Sequence, residues 1–207
     1  MEQRTAEWYA ARTGKVTASH AFDVLSILKD KPSAACMKYA RDLAWERIHG
    51  LAKQHARNNA MEKGVDLEPT AREKYELQNL LTVELVGFIQ HPEMPFFGAS
   101  PDGLVGDDGL VEFKCPTIDT HLEVLDTHEV DSKYMAQMQA QLACTGRAWC
   151  DYAVYYEPYY EYEDPLAEKY RLVVIRVDRD EKQIAKLLEA AMKLDAIVDD
   201  MVKRWSA

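Results

Sequence analysis

The sequence predicts an α/β fold in which helices flank a central mixed β-sheet. Two observations lead there. The apolar residues keep a helical period to about residue 81, turn to short β-rich runs between residues 82 and 115, and then alternate helix, strands, helix. At 207 residues, 47% hydrophobic and 10% aromatic, the chain suits one domain over 1–207 with a sizeable core. It has no internal repeat, low-complexity stretch or obvious linker.

The elements follow in order. Thr5 to Arg12 reads as a short helix carrying Trp8, and Thr17-Ala18-Ser19 offers cap residues for a second with Phe22, Leu25 and Leu28 at helical spacing. Pro32-Ser33 opens a third helix that Gly50 ends. Met61 to Leu81 is helical after Gly64, with Pro69 in its first turn, where a missing amide hydrogen is harmless. Thr82–His91, Phe96–Ser100 and Leu110–Cys115 read as strands. Asp131-Ser132 caps a helix through Cys144, closed by Gly146. Ala148–Tyr156 and Tyr170–Val177 are β-rich, and Glu157 to Glu168 reads as a solvated loop. A long amphipathic helix from about Asp180 ends the pattern, with Ile184, Leu187, Leu188, Ala191, Leu194, Val198, Met201 and Trp205 on one face.

Composition narrows the function classes. The apolar runs are far short of a membrane span, and the first residues lack a signal-peptide pattern. Cys36, Cys115, Cys144 and Cys150 form no CxxC pair, so reduced thiols in a cytosol are expected rather than zinc ligands or disulfides. Six histidines are scattered, with none at zinc-ligand spacing. Net charge is −10, but residues 1–75 hold 13 Lys and Arg against 10 Asp and Glu, and the remainder holds 12 against 25. A locally basic groove can coexist with an acidic exterior, because nucleic-acid binding follows the local field.

The chemistry concentrates in Ser100-Pro101-Asp102-Gly103 and Glu112-Phe113-Lys114. A hairpin is expected, with a strand into Asp102, a turn at Asp107-Asp108-Gly109 and a strand from Leu110. Glu112 and Lys114 then share a face, and Phe113 takes the other. If Asp102 lies beside them, two carboxylates and one ammonium converge. Hard divalent cations such as Mg²⁺ resolve the repulsion between close carboxylates. The alternative is a turn aspartate beside an exposed Glu/Lys strand edge. Glu68, at an expected helix start, is either a further acidic group near that metal or a residue placed favourably in the helix dipole. Arg12, Thr17 and Ser19 surround a glycine turn at a helix start, which suits a phosphate or simply caps a helix. Tyr134, Gln137, Gln141 and Cys144 share part of one helical face. Gln137 could orient a water or a phosphate there, or belong to an interfacial polar stripe. Cys115 reads as a small buried residue, not a nucleophile.

Taken together, Trp8 to Ser19, Gly64 to Arg72, Ser100 to Gly103, Glu112 to Pro116 and Tyr134 to Gln139 occur in an order that resembles the lambda exonuclease type of alkaline exonuclease. This is the YqaJ-like viral recombinase family of PD-(D/E)xK nucleases, and the resemblance runs from about residue 8 to 156. It implies a restriction-endonuclease-like fold and a 5′→3′ exonuclease that degrades the 5′-phosphorylated strand of duplex DNA and leaves a 3′ single strand. It implies Mg²⁺, with Mn²⁺ as substitute, two ions per site. Asp102, Glu112 and the Phe113 carbonyl would be metal ligands. Lys114 would orient the attacking water, Glu68 would support the metal, and Gln137 would complete the pocket. Arg12, with Ser19, Ser100 and Thr17, would hold the terminal phosphate. A homotrimeric ring on DNA ends, a single-strand annealing partner, and phage or prophage origin in a bacterial cytoplasm are implied as well. The archetype has an arginine shortly after its Lys-Cys-Pro segment, whereas residues 117–123 here have neither Arg nor Lys. Two other readings are a PD-(D/E)xK endonuclease and a non-catalytic DNA-end-binding recombination protein.

Overall fold

The computed structural model describes residues 1–53, 59–158 and 166–207, with 59–63 described as backbone alone. Seven helices and eight strands are described: α1 (Ala6–Arg12), β1 (Val16–Thr17), α2 (Ala21–Leu25), α3 (Ala34–His49), α4 (Asn59–Asn79), β2 (Val83–Glu84), β3 (Ile89–Gln90), β4 (Phe97–Ala99), β5 (Gly103–Val105), β6 (Gly109–Lys114), α5 (Ile118–Thr127), α6 (Ser132–Thr145), β7 (Trp149–Tyr155), β8 (Leu172–Asp178) and α7 (Glu181–Trp205). The expected α/β class holds, and the sheet comes in two mixed parts. One has the order β1-β4-β3 and the other β2-β5-β6-β7-β8. In the larger part β6 and β7 run parallel, while their outer neighbours pair antiparallel.

Local chemistry sets most boundaries. Ser33, Asp131 and Asp180 each accept a backbone N–H at the start of α3, α6 and α7. Such caps are worth about 1 kcal/mol each. Gly50 and Gly146 end α3 and α6 in left-handed conformations.

Strands β6 and β7 are buried on both faces, which explains their unbroken apolar character. Leu110, Cys150, Tyr152 and Val154 pack with Met138 and Leu142 of α6. Val111, Phe113, Ala153 and Tyr155 pack on the other side with Ala71 and Tyr75 of α4. A third cluster joins α2, α3 and α7 to β1 and β4 through Val24, Leu43, Leu194 and Phe97.

Several expectations need correction. Helix α4 starts at Asn59, so Pro69 sits in its interior rather than its first turn. The lost amide there costs hydrogen bonding, but packing of Ala71 and Tyr75 against the sheet outweighs local propensity. The second helix is a 3₁₀ turn over Ala18–His20 followed by the five residues of α2, with Phe22 exposed. The hairpin is β5 with β6, so the paired strand leaves Asp102 rather than entering it. β4 belongs to the other sheet. A helix over Ile118–Thr127 went unpredicted. Trp205 lies half-exposed in the last turn of α7, beyond the buried stripe that ends at Met201. Most of the loop expected between Glu157 and Glu168 falls at 159–165, outside the described residues. No helix among the described residues is long and apolar enough to cross a membrane.

Candidate active site

Residues Ser100-Pro101-Asp102 carry the chain from the smaller sheet to the larger one. That crossing delivers Asp102 to the end of β6. β5 pairs with β6 as far as Val111, and beyond it the flank of β6 is open to Asp102. The Phe113 N–H donates to Asp102 Oδ2 at 2.8 Å. In an extended strand the carbonyl of a residue points the same way as its N–H, so the Phe113 carbonyl faces Asp102 too. The Pro-Asp-Gly turn needs glycine for space, because a Cβ at Gly103 would stand 2.0 Å from Val83 Cγ1.

Alternation works as expected. Phe113 packs edge-on to Tyr75 on the α4 side, and Glu112 and Lys114 turn together toward α6. Glu112 is 2% exposed. Its Oε1 accepts from Lys114 Nζ and, at 2.6 Å, from Gln137 Nε2, while Oε2 accepts from Gln141 Nε2 at 2.6 Å. Gln137 and Gln141 are one helical turn apart, so one face of α6 supplies both donors. Lys114 Nζ also lies 5.0 Å from the ring centroid of Tyr134, which stacks on Tyr152.

The electrostatics are unbalanced. Burial raises the Asp102 carboxyl well above the usual range, and the negative charges of Glu112 and Glu68 add to the effect beyond what Lys114 offsets. Burial alone would lower the Lys114 ammonium, but Glu112 and Asp102 together outweigh it and hold Lys114 firmly charged. Burial pushes the Cys115 thiol up to about 12, which disfavours a nucleophilic thiolate, but the residue is only partly buried, packed against the Phe113 cluster, rather than fully buried as expected. Glu68 lies within α4, not at its start, so the helix-dipole explanation for it falls away. Its carboxylate accepts from Arg4 Nη2. Among the described residues no group of three or more His, Cys, Asp and Glu side chains forms a ready cation site. Asp102, Glu112 and the Phe113 carbonyl still suit a hard cation that keeps several waters, and the repulsion at Asp102 is what such an ion relieves.

A second cluster lies two residues back along the same segment. Arg12 Nη1 and Trp8 Nε1 each donate to Ser100 Oγ at 3.0 Å, and the Arg12 guanidinium lies 4.1 Å from the centroid of the Trp8 ring. Thr17 and Ser19 meet at 3.2 Å between hydroxyls. The Tyr39 hydroxyl accepts the Thr17 N–H at 3.0 Å. Burial lowers the Arg12 pKa, and Tyr39 and Tyr9 partly offset it. His20 stacks on the Tyr39 ring at 3.8 Å. The short helix after Thr17 supplies little dipole, so the cationic character of this pocket comes from Arg12. The turn before it is fixed from α3. Glu46 accepts the Gly14 N–H at 2.8 Å and Arg47 Nε donates to the Gly14 carbonyl at 2.8 Å, with Gly14 at φ +69°.

The structure thus joins Asp102, Glu112, Phe113, Lys114 and Gln137 at one place, with Glu68 close enough to act on Asp102. It joins Arg12 to Ser100 and Thr17 to Ser19. Sequence reasoning left Gln141 outside the site, although its spacing from Gln137 marked it. Trp8 and Tyr39 were also missed: Trp8 stood six residues before the glycine turn at Gly14, and nothing in the sequence placed Tyr39, in the middle of α3, beside that turn.

The chain is similar to known proteins. Residues 7–148 match the model of the YqaJ-like viral recombinase domain. An alkaline exonuclease (LHK-Exo) from Laribacter hongkongensis is 39% identical, with a TM-score of 0.86 over 98% of this chain and 96% of that one. The complex of LHK-Exo with dAMP gives the same TM-score and identity over 97% and 96%. A phage-related exonuclease from Haemophilus somnus 129PT is 17% identical, with a TM-score of 0.76 over 92% and 96%, and shares the fold. No curated protein matches.

Proposed function

The chain belongs to the YqaJ-like viral recombinase family, the lambda exonuclease type of DNA exonuclease, and on that premise we propose that it is a Mg²⁺-dependent 5′→3′ exonuclease of duplex DNA. It degrades the 5′-phosphorylated strand to mononucleotides and leaves a 3′ overhang for strand annealing. One observation carries the reading: a buried carboxylate, Glu112, held by Lys114, Gln137 and Gln141 beside an Asp102 that its surroundings resist ionising. Close carboxylates can hold the divalent ions that promote phosphodiester hydrolysis, and a charged lysine beside them can stabilise developing negative charge. The dAMP complex of the 39% identical relative agrees with mononucleotide release.

Asp102, Glu112 and the Phe113 carbonyl would hold Mg²⁺, or Mn²⁺ in its place, with two ions per site and Glu68 in support. Held by these residues, such ions would supply an acidified water and charge stabilisation at the phosphate oxygens. Lys114 orients the water and steadies the developing negative charge. Gln137 and Gln141 fix the Glu112 carboxylate so that it needs no reorganisation. Arg12, Ser100, Thr17 and Ser19 take the terminal 5′-phosphate, and the two-residue step from Ser100 to Asp102 sets the spacing between end and scissile bond. We further propose a homotrimeric ring on DNA ends, a single-strand annealing partner and the cytoplasm of a phage-bearing bacterium. A ring would reconcile a basic lining with the net charge of −10.

The test is digestion of linear duplex DNA in Mg²⁺ with 5′-phosphate or 5′-hydroxyl ends, beside a covalently closed circle. Mononucleotides from the phosphorylated strand with the circle intact are expected. Cutting of the circle would make the protein an endonuclease, and silence on all three would leave an end-binding protein.

A further inference from the structure

The amino-terminal residues are tied down beside the proposed metal site. Gln3 Nε2 donates to the Val86 carbonyl at 3.1 Å and to the Pro101 carbonyl at 2.8 Å, one residue before Asp102. Thr5 Oγ1 donates to the Glu2 carbonyl at 2.9 Å and accepts the Trp8 N–H at 3.3 Å. The Met1 backbone lies so close to Gly87 that a Cβ there would stand 2.4 Å from the Met1 carbonyl oxygen. Between these anchors Arg4 takes φ +68°. A left-handed conformation is unfavourable for arginine, and the neighbours on both sides hold it there. The result aims its guanidinium at Glu68, with which it forms an ion pair.

We propose that Arg4 is a built-in counter-ion of the metal site, holding the Glu68 carboxylate in the metal-free protein and yielding it to the divalent cation. The inference rests on the metal reading above. Glu68 presses on Asp102 electrostatically, so what neutralises Glu68 also sets the charge that the cation meets. The arginine guanidinium is a permanent charge, so a divalent cation must compete with it for the Glu68 carboxylate. Lys114 holds Glu112 in the same way from the strand itself. Two of the site's carboxylates are therefore paired to side-chain cations, and among the described residues none is paired to Asp102.

The experiment is calorimetric titration of Mn²⁺ into the full chain without DNA, for the unsubstituted protein, Arg4→Gly, Glu68→Gln and the double variant. Glycine accepts φ +68° without strain, so Arg4→Gly removes the charge while sparing the backbone, and its unfolding temperature checks this. Arg4→Gly should bind Mn²⁺ about three- to tenfold more tightly. Most of that gain should vanish when Glu68→Gln is also present. Loss of a merely structural contact would weaken binding instead. Equal or weaker binding by Arg4→Gly, or a gain undiminished by Glu68→Gln, overturns the proposal. Absence of Mn²⁺ uptake by the unsubstituted chain overturns the metal reading and this inference with it.

Discussion

Two buried carboxylates stand on opposite faces of the β6–β7 pair, one on each strand, and they are treated differently. Asp151, on the α4 side, is 3% exposed. It accepts from Arg176 Nε at 2.8 Å, Arg176 Nη2 at 3.0 Å and the Tyr75 hydroxyl at 2.7 Å. Arg176 in turn lies 3.5 Å from the centroid of the Trp149 ring. One negative charge meets one bidentate positive charge, and every polar atom is satisfied. Glu112, on the α6 side, is as buried and as fully hydrogen-bonded, but among the described residues Asp102 beside it has no side-chain cation paired to it. The first cluster closes on itself and holds the sheet to α4. The second keeps a repulsion that Lys114 only partly offsets among the described residues, and perturbed carboxylates of this kind cluster at functional sites.

Substitutions should separate the two. Lys114→Ala is expected to lower turnover on linear duplex DNA by at least about 10²–10³-fold, with DNA binding in a gel-shift assay largely kept. Ordinary turnover would dismiss Lys114 from the chemistry. Asp151→Ala should do the reverse. It strands the buried Tyr75 hydroxyl and leaves Arg176, itself half-exposed, to rehydrate. The cost should be about 2–3 kcal/mol in urea unfolding, with turnover per folded molecule unchanged. A stable Asp151→Ala protein with lost turnover would erase the distinction between the faces. The Arg12 cluster gives a smaller effect. Arg12→Ala should cut the preference for 5′-phosphate over 5′-hydroxyl ends by about tenfold, while Mn²⁺ affinity stays as it was. Undiminished end discrimination would remove Arg12 from the phosphate pocket.

Much of this contrast was legible because it is local. Glu112 and Lys114 are two apart on a strand, so their common face follows from the pleat. Ser33, Asp131, Asp180, Gly50 and Gly146 marked helix ends through their own side chains or their lack of one. What escaped was set by distant partners. The Asp151–Arg176 and Tyr75–Asp151 bonds join residues 25 and 76 apart, and the Arg4–Glu68 pair spans 64. No periodicity announces such pairs. Helix α5 ends at His128 in a left-handed conformation without a glycine, so its usual stop signal is missing. Pro69 misled for the opposite reason: a strong local signal was overruled by packing of α4 on the sheet.

The finest test concerns Asp102 without metal. Its pKa is raised in the folded protein, chiefly by burial and then by Glu112. A carboxyl of this kind favours folding while protonated, so its contribution is present at low pH and is lost as pH rises through the folded value. In chelator, the protein should therefore lose stability on that rise, and Asp102→Asn should abolish this part of the pH dependence. Asparagine keeps an oxygen that can accept the Phe113 N–H, so the β6 contact survives. At alkaline pH the variant should melt about 2–4 °C higher than the unsubstituted protein, and it should no longer cleave DNA. Adding Mg²⁺ should raise the melting temperature of the unsubstituted protein and leave that of the variant nearly unchanged, since the cation relieves a repulsion that asparagine has already removed. Were Asp102→Asn to melt lower at alkaline pH in chelator, Asp102 would be a paired structural carboxylate like Asp151, and the two faces of the sheet would be alike after all.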